Sequence, residues 1–290
     1  MPDIFTTIPS GSFKMGSVCQ EGFVTDLETD SVDVALESFQ IKTTTVTNRE
    51  FKAFVAATDY ITDAEKFGWS SVFHLLIPEE DRLDSLAVQG MEWWLIIKGA
   101  CWHAPEGPGS SIDGRLDHPV VHVSRNDALA YCRWEGSRLP TEAQWEYAAR
   151  GGLEMKRYPW GDNLLIDGKY PLNIWQGQFP ISNTEKDGYL GTAPANNYTP
   201  NGYGLYQMVG NVWEWCLNPG KIPLNQFQNH TSEDFFNYFN RSSHGKLFAI
   251  RGGSFLCHDS YCNRYRVGAR NSVTDDSSAS NIGFRTLKPL

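Results

Sequence analysis

Short alternating runs of apolar and polar residues open the chain. Ile4-Phe5-Thr6-Thr7-Ile8 and Val32-Asp33-Val34-Ala35-Leu36 put every second side chain on one face, which predicts strands across residues 4–46. The period then changes. Thr47-Asn48-Arg49-Glu50 reads as a capping box, with Phe51, Phe54 and Val55 following on one helical face. Ser124-Arg125-Asn126-Asp127 opens a second helix, with Ala128, Tyr131 and Cys132 at i, i+3, i+4 and Gly136 to end it. Thr141-Glu142-Ala143-Gln144 opens a third, which carries Trp145, Ala148 and Ala149 and stops at Gly151-Gly152. Beyond residue 152 no helix is predicted. That half reads as turns and short strands, ending in a Gly- and Arg-rich strand series from Ile250 to Leu287, with Leu217 to Lys246 as a surface excursion.

Composition supports a loop-rich fold. Ten Trp, 26 Gly and 15 Pro in 290 residues suit tight turns pinned by large aromatic anchors. No repeat or linker-like stretch divides the chain, so residues 1–290 are expected to form a single domain. The formal charge of −9, without a Lys/Arg stripe, argues against nucleic acid as a partner. No stretch approaches the ~18 apolar residues of a membrane span. Met1-Pro2-Asp3-Ile4-Phe5 has no basic or apolar leader pattern. The six cysteines (Cys19, Cys101, Cys132, Cys216, Cys257, Cys262) are too sparse for a disulfide scaffold, so a cytoplasmic, monomeric protein with reduced thiols is expected.

The strongest candidate chemistry lies in Cys257-His258-Asp259-Ser260-Tyr261-Cys262-Asn263-Arg264. In a strand the two thiols would be roughly 16 Å apart; in a helix they would point about 140° apart. They can act together only if the chain bends between them. Bent, they offer a two-thiolate pocket that suits Cu(I); unbent, they are two buried cysteines behaving as small hydrophobes. His118 and His122 resemble a metal pair, but His122 alternates with Val121 and Val123, which favours a structural role. Trp93-Trp94 and Trp213-Glu214-Trp215 read equally as core anchors or groove walls. Asp187 and Glu214, among Gly and Asn residues, could gather around a hard cation such as Ca²⁺. A Ser-His-Asp triad, a phosphate loop and a dinucleotide fingerprint are absent.

Longer segments carry a family resemblance. They include Phe13-Lys14-Met15-Gly16-Ser17, Ala64-Glu65-Lys66-Phe67-Gly68, Asp117-His118-Pro119-Val120-Val121-His122, Arg138-Leu139-Pro140-Thr141-Glu142, Tyr158-Pro159-Trp160-Gly161-Asp162, Asn173-Ile174-Trp175-Gln176-Gly177, Gly210-Asn211-Val212-Trp213-Glu214-Trp215 and Asn281-Ile282-Gly283-Phe284-Arg285. Together these resemble the formylglycine-generating enzymes, the sulfatase-modifying factor family. The Arg-Leu-Pro-Thr-Glu and Gly-Asn-Val-Trp-Glu-Trp segments mark the wider superfamily. The Cys257/Cys262 pair in its Ser-Tyr context is similar to the formylglycine branch specifically.

The resemblance implies an irregular α/β (α+β) fold of the sulfatase-modifying, C-type-lectin-like kind, with little regular secondary structure. It implies an oxidase that uses O₂ to convert a cysteine of a sulfatase-like client, within Cys-x-Pro-x-Arg, to Cα-formylglycine. Cys257 and Cys262 would bind Cu(I), and Ser254, Tyr261 and Trp213 would line the catalytic site. Trp93, Asn281, His258 and Arg264 would contact the client. A structural Ca²⁺ would be held by Asn173, Ile174, Asp187 and Tyr189, with Ile174 and Tyr189 acting through backbone carbonyls. A second Ca²⁺ would use Gly210, Val212 and Glu214. Two departures stand out: Gln207 replaces a frequent Asn at the second calcium set, and Trp69 replaces an Asp suited to the client arginine. A non-catalytic binding or regulatory protein on the same fold is the competing reading.

Overall fold

The computed structural model describes residues 4–17, 21–83, 85–241, 243 and 245–290, so Cys19 and the first three residues lie outside the described residues. The predicted amino-terminal strands form as β1 (Phe5–Ile8), β2 (Gly11–Met15), β3 (Val32–Leu36) and β4 (Phe39–Lys42). β2 pairs with β3. Helix α1 (Asn48–Thr58) starts where the capping box predicts it: Glu50 N donates to Thr47 Oγ1, and Thr47 N donates back to the Glu50 carboxylate at 2.8 Å. A second box, Thr62 with Glu65, starts the short α2 (Asp63–Phe67). Then come β5 (Trp69–Phe73), α3 (Glu79–Arg82), β6 (Leu86–Val88) and β7 (Met91–Lys98), with β7 between β5 and β6. The sequence pattern had not marked this sheet.

Helices α4 (Arg125–Glu135) and α5 (Glu142–Arg150) follow their predicted caps, Ser124 and Thr141. The remaining elements are β8 (Gly177–Gln178), β9 (Ser182–Asn183), β10 (Trp213–Pro219), α6 (Gln226–Asn229), α7 (Ser232–Phe239), β11 (Leu247–Arg251), β12 (Asn271–Thr274), β13 (Ile282–Gly283) and β14 (Leu287–Pro289). β10 sits inside the four-stranded order β12-β11-β10-β13, with β13 parallel to it. β14 lies antiparallel to β4. Among the described residues no helix exceeds eleven residues and no strand exceeds eight, so the fold is the expected irregular α+β type.

Two expectations for the second half are corrected. Helix α7 does form after residue 152, capped by Thr231 with Asp234 at the third position. The aromatic-rich run Phe235-Phe236 hid the signal. Nor does Leu217 to Lys246 merely cross the surface. Leu217, Leu224, Phe227 and Phe235 are buried in the main core, and each contributes about 1.5–3 kcal/mol by burial. Arg125 anchors this segment from α4. Its guanidinium donates to the carbonyls of Leu217, Phe239 and Arg241 and stacks 3.6 Å from the Phe248 ring centroid. Burial lowers its pKa to about 10, so it remains charged at neutral pH.

The core also holds charge. Trp145 of α5 is fully buried and donates from Nε1 to Glu214 on β10. Glu142 and Glu146, on the same helix, face the buried guanidiniums of Arg251, Arg270 and Arg150. His118 and His122 do not form a metal pair. His118 Nδ1 meets Thr192 Oγ1, and His122 Nδ1 meets Ser70 Oγ. Complete burial pushes His122 down to about 3 and keeps it neutral.

Candidate active site

The bend that the two cysteines require is present. After β11, Gly252 and Gly253 adopt φ of 94° and 73°. A Cβ on Gly253 would lie 3.0 Å from the carbonyl oxygen of Arg264, so only glycine lets the outgoing and returning chains approach this closely. Two successive turns follow. Cys257 N donates to Ser254 O, and Cys262 N donates to His258 O at 2.8 Å. They bring the two sulfurs to 2.6 Å, beyond the roughly 2.05 Å of a disulfide and close enough to share a proton.

Both thiols are buried, and their surroundings differ. Burial opposes ionisation of Cys262, but the Cys257 S–H and the Arg264 guanidinium outweigh it and hold Cys262 below the ordinary thiol range. Cys257 is pushed well above that range by burial and by the proton it shares with Cys262. The pair therefore titrates as a unit whose first proton leaves from the Cys262 side. Arg264 is fixed in turn: Asp26, fully buried, accepts from its Nε at 2.6 Å and its Nη2 at 3.1 Å, and Phe23 stacks against it at 4.2 Å. No sequence signal marked Asp26, which lies 238 residues from its partner.

The thiols open into a cavity of about 330 Å³. Trp94 and Met91 from β7, Trp213 from β10 and Leu256 give it apolar walls. Its polar rim is an ordered chain: Asn281 Nδ2 donates to Ser254 Oγ at 2.9 Å, and Ser254 N donates to Cys257 Sγ at 3.4 Å. Tyr261 also lines the cavity, stacked on Phe179 at 4.3 Å with Trp93 edge-on at 5.2 Å. Desolvation, with Cys262 adding to it, raises its pKa and keeps the phenol protonated.

Seven of the sequence-derived site residues thus converge: Cys257, Cys262, Ser254, Tyr261, Trp213, Asn281 and Arg264. Two do not reach the cavity wall. Trp93 stands behind Tyr261, and its neighbour Trp94 takes the lining position, because successive strand residues point to opposite faces. His258 is spent on the turn: its Nδ1 meets Ser260 Oγ at 2.8 Å and the Asp259 carboxylate at 3.0 Å.

Asn173, Ile174, Asp187 and Tyr189 come together beside this centre. Asp187 accepts from the backbone N–H groups of Ile174 and Tyr189 and from Gln176 Nε2. Asn173 Nδ2 is bonded to Gly191 O, whereas its Oδ1 is buried with no hydrogen-bond partner. An orphaned oxygen in the same cluster as a part-buried carboxylate fits a hard cation. The set touches the thiol centre through the chain, since Trp175 N donates to Cys257 O.

The second calcium set does not fit in the same way. Arg285 grips both oxygens of Glu214, and Trp145 Nε1 adds a third bond. Here the carboxylate is fully engaged, so the set shows no orphaned side-chain oxygen of the kind found at Asn173.

Sequence comparison places this architecture. The profile of the sulfatase-modifying factor enzyme 1-like domain matches residues 2–290. The formylglycine-generating enzyme of Streptomyces coelicolor is 53% identical over 280 residues, covering 96% of this chain and 87% of that protein. The inactive C-alpha-formylglycine-generating enzyme 2 of Bos taurus is 41% identical over 282 residues, covering 96% of this chain and 85% of its own length. Among solved structures, PvdO from Pseudomonas aeruginosa superposes with a TM-score of 0.66 at 22% identity, covering 99% of this chain and 94% of that one. At that identity the likeness speaks for the fold alone.

Proposed function

The chain belongs to the sulfatase-modifying factor enzyme 1-like family, and on that premise we propose that it converts a cysteine of a client protein to Cα-formylglycine, with O₂ as oxidant. Because the family includes a relative named inactive, membership does not carry this reading. The observation that carries it is the pair of buried thiols, Cys257 and Cys262, at the floor of an open cavity.

The donor set fits Cu(I). Two soft sulfurs suit that ion, and among the described residues no third His, Cys, Asp or Glu ligand joins them to complete the four-ligand shell that structural zinc prefers. When bound there, Cu(I) would supply the one-electron chemistry through which triplet O₂ reacts with closed-shell thiols.

The chain's own residues do the rest. Arg264, braced by Asp26, favours the thiolate on Cys262. Ser254 and Asn281 present polar atoms to an entering peptide, while Trp94 and Trp213 exclude water from its sulfur. The client Cβ loses hydrogen and its thiol is oxidised to a thioaldehyde. Two electrons and two protons pass to O₂, giving hydrogen peroxide, or two waters when a pair of external thiols adds two more electrons and two protons and becomes a disulfide. Hydrolysis of the thioaldehyde then yields the aldehyde and hydrogen sulfide.

The client class is a sulfatase-like protein that presents Cys-x-Pro-x-Arg in extended form. The test is mass spectrometry of such a peptide after incubation with copper-loaded protein and O₂. Mass loss with hydrazide capture is expected. An unmodified peptide, across a panel that includes one with the arginine replaced, overturns the proposal and favours a binding role.

We also propose that Asn173, Ile174, Asp187 and Tyr189 hold a structural Ca²⁺. At 100-fold excess over Kd, a bound ion adds about 2.7 kcal/mol of stability, or roughly 5–10 °C in Tm. Chelation is expected to remove that increment, and Asp187→Asn to abolish the response to calcium. A thermal melt indifferent to chelator, with no calcium by elemental analysis, contradicts it.

A further inference from the structure

We propose that Glu65, Cys101 and His103 form a zinc-binding site, separate from the thiol centre, that braces the sheet forming one wall of the cavity. The ligand atoms of these three side chains lie within 4.8 Å of one another. His103 Nε2 is 3.5 Å from Glu65 Oε1. A tetrahedral zinc with bonds of about 2.0–2.3 Å holds its ligand atoms roughly 3.3–3.8 Å apart, so only small side-chain movements are needed.

The local structure presets the ligands. Glu65 is the third residue of α2, and its Oε2 accepts from Thr62 N and Thr62 Oγ1, which turns Oε1 toward His103. Cys101 and His103 stand on a tight turn closed by reciprocal backbone bonds between Cys101 and Ala104, both 3.2 Å. Cys101 is buried and the His103 side chain is half-exposed, so the metal would have a protein floor and a fourth position facing water. One sulfur, one imidazole and one carboxylate suit zinc, a borderline ion. Calcium and magnesium favour oxygen ligands throughout.

Location gives the site a purpose. α2 runs through Gly68 into β5, and β7 runs through Lys98 into the 101–104 turn. The two strands pair from Trp69 opposite Lys98 to Phe73 opposite Trp94; beyond that ladder, Gly99 N donates to Gly68 O and a small apolar cluster of Ala64, Cys101 and Ala104 joins α2 to the turn. A zinc ion across Glu65, Cys101 and His103 would extend that tie past the end of the ladder, fixing α2 to the 101–104 turn. Those two strands carry Ser71, Met91 and Trp94 into the cavity wall.

The test uses Co²⁺ and Zn²⁺ on the full chain. In a Cys257→Ser/Cys262→Ser background, one equivalent of Co²⁺ is expected to show a thiolate charge-transfer band that Zn²⁺ abolishes. Adding Cys101→Ser should remove the band, and His103→Ala should weaken Zn²⁺ binding at least about tenfold. Absence of the band, or a band unchanged by Cys101→Ser, overturns the site. If the serine variants do not fold, wild type is compared with His103→Ala, a half-exposed substitution, by zinc stoichiometry and melting. One equivalent lost, together with the zinc-dependent rise in Tm, supports the site; equal binding by both marks adventitious metal and overturns it.

Discussion

Cys257→Ser and Cys262→Ser are each expected to lower turnover of a Cys-x-Pro-x-Arg peptide by at least about 10³-fold, the scale of losing a reacting group. Serine keeps the shape and the hydrogen-bonding capacity of either position, so the folded state should survive. What it removes is a soft, ionisable sulfur. In the Cys262 variant, Arg264 faces a hydroxyl that stays neutral, and the proton held by Cys257 has no thiolate to share it. Both variants should also lose most of their Cu(I) affinity in competition with a chromogenic Cu(I) chelator, where wild type binds about one equivalent. Cys132→Ala serves as the control: that thiol is buried in the core, pushed up to about 12 by its burial, and is not among the residues lining the cavity. Full activity in either serine variant would remove the pair from the mechanism.

Glu142→Gln is expected to cost about 3–5 kcal/mol, the range for breaking a buried ion pair from one side, and to lower Tm by roughly 6–15 °C. The wild-type carboxylate accepts two bonds from Arg270, one from Arg251 at 3.3 Å and one from Asn218, all out of contact with water. Removing its charge leaves Arg251, Arg270 and Arg150 facing Glu146 as their one remaining carboxylate in this cluster. By contrast, breaking the exposed Lys14–Asp33 pair should change stability by about 0–1 kcal/mol.

The pH dependence separates the two cases further. Burial pushes Glu142 up, but Arg270 and Arg251 outweigh it and hold the folded-state pKa below its ordinary 4.5. A depressed folded pKa contributes stability that is present above that value and is lost as pH falls through it. The acid limb of the wild-type stability curve should therefore flatten in Glu142→Gln. Unchanged melting at pH 7 and pH 3 would show that the network carries no stability.

Local signals were legible in the chain and long-range ones were not. Thr47, Ser124 and Thr141 begin helices because a capping side chain needs a partner only three residues away. Thr231 follows the same logic, but its helix is an aromatic run, which disguised it. Strand alternation identified β1 to β4 yet said nothing of their partners: β4 finds one of its own in β14, at the other end of the chain. The site was readable as residue types with a family resemblance, and its geometry was not. Five-residue spacing is silent on whether Cys257 and Cys262 meet; the answer lies in the turn closed by His258 O and the close approach at Gly253. The same limit hid the pairing of Glu214, since Arg285 stands 71 residues away and reaches it only once the core has closed.

The cavity draws Ser71, Met91 and Trp94 from the first third of the chain, Trp213 from the last third, and Ser254 to Ile282 from nearer the end, while β14 completes the sheet around β4. On the ribosome, then, no partial chain holds the centre. A chain that ends at residue 262 has both thiols but lacks Asn281, β13 and β14, so the wall around the sulfurs is incomplete. Long-range closure of this kind is slow. Assembly of the thiol centre thus follows the docking of β13 and β14 and cannot precede it.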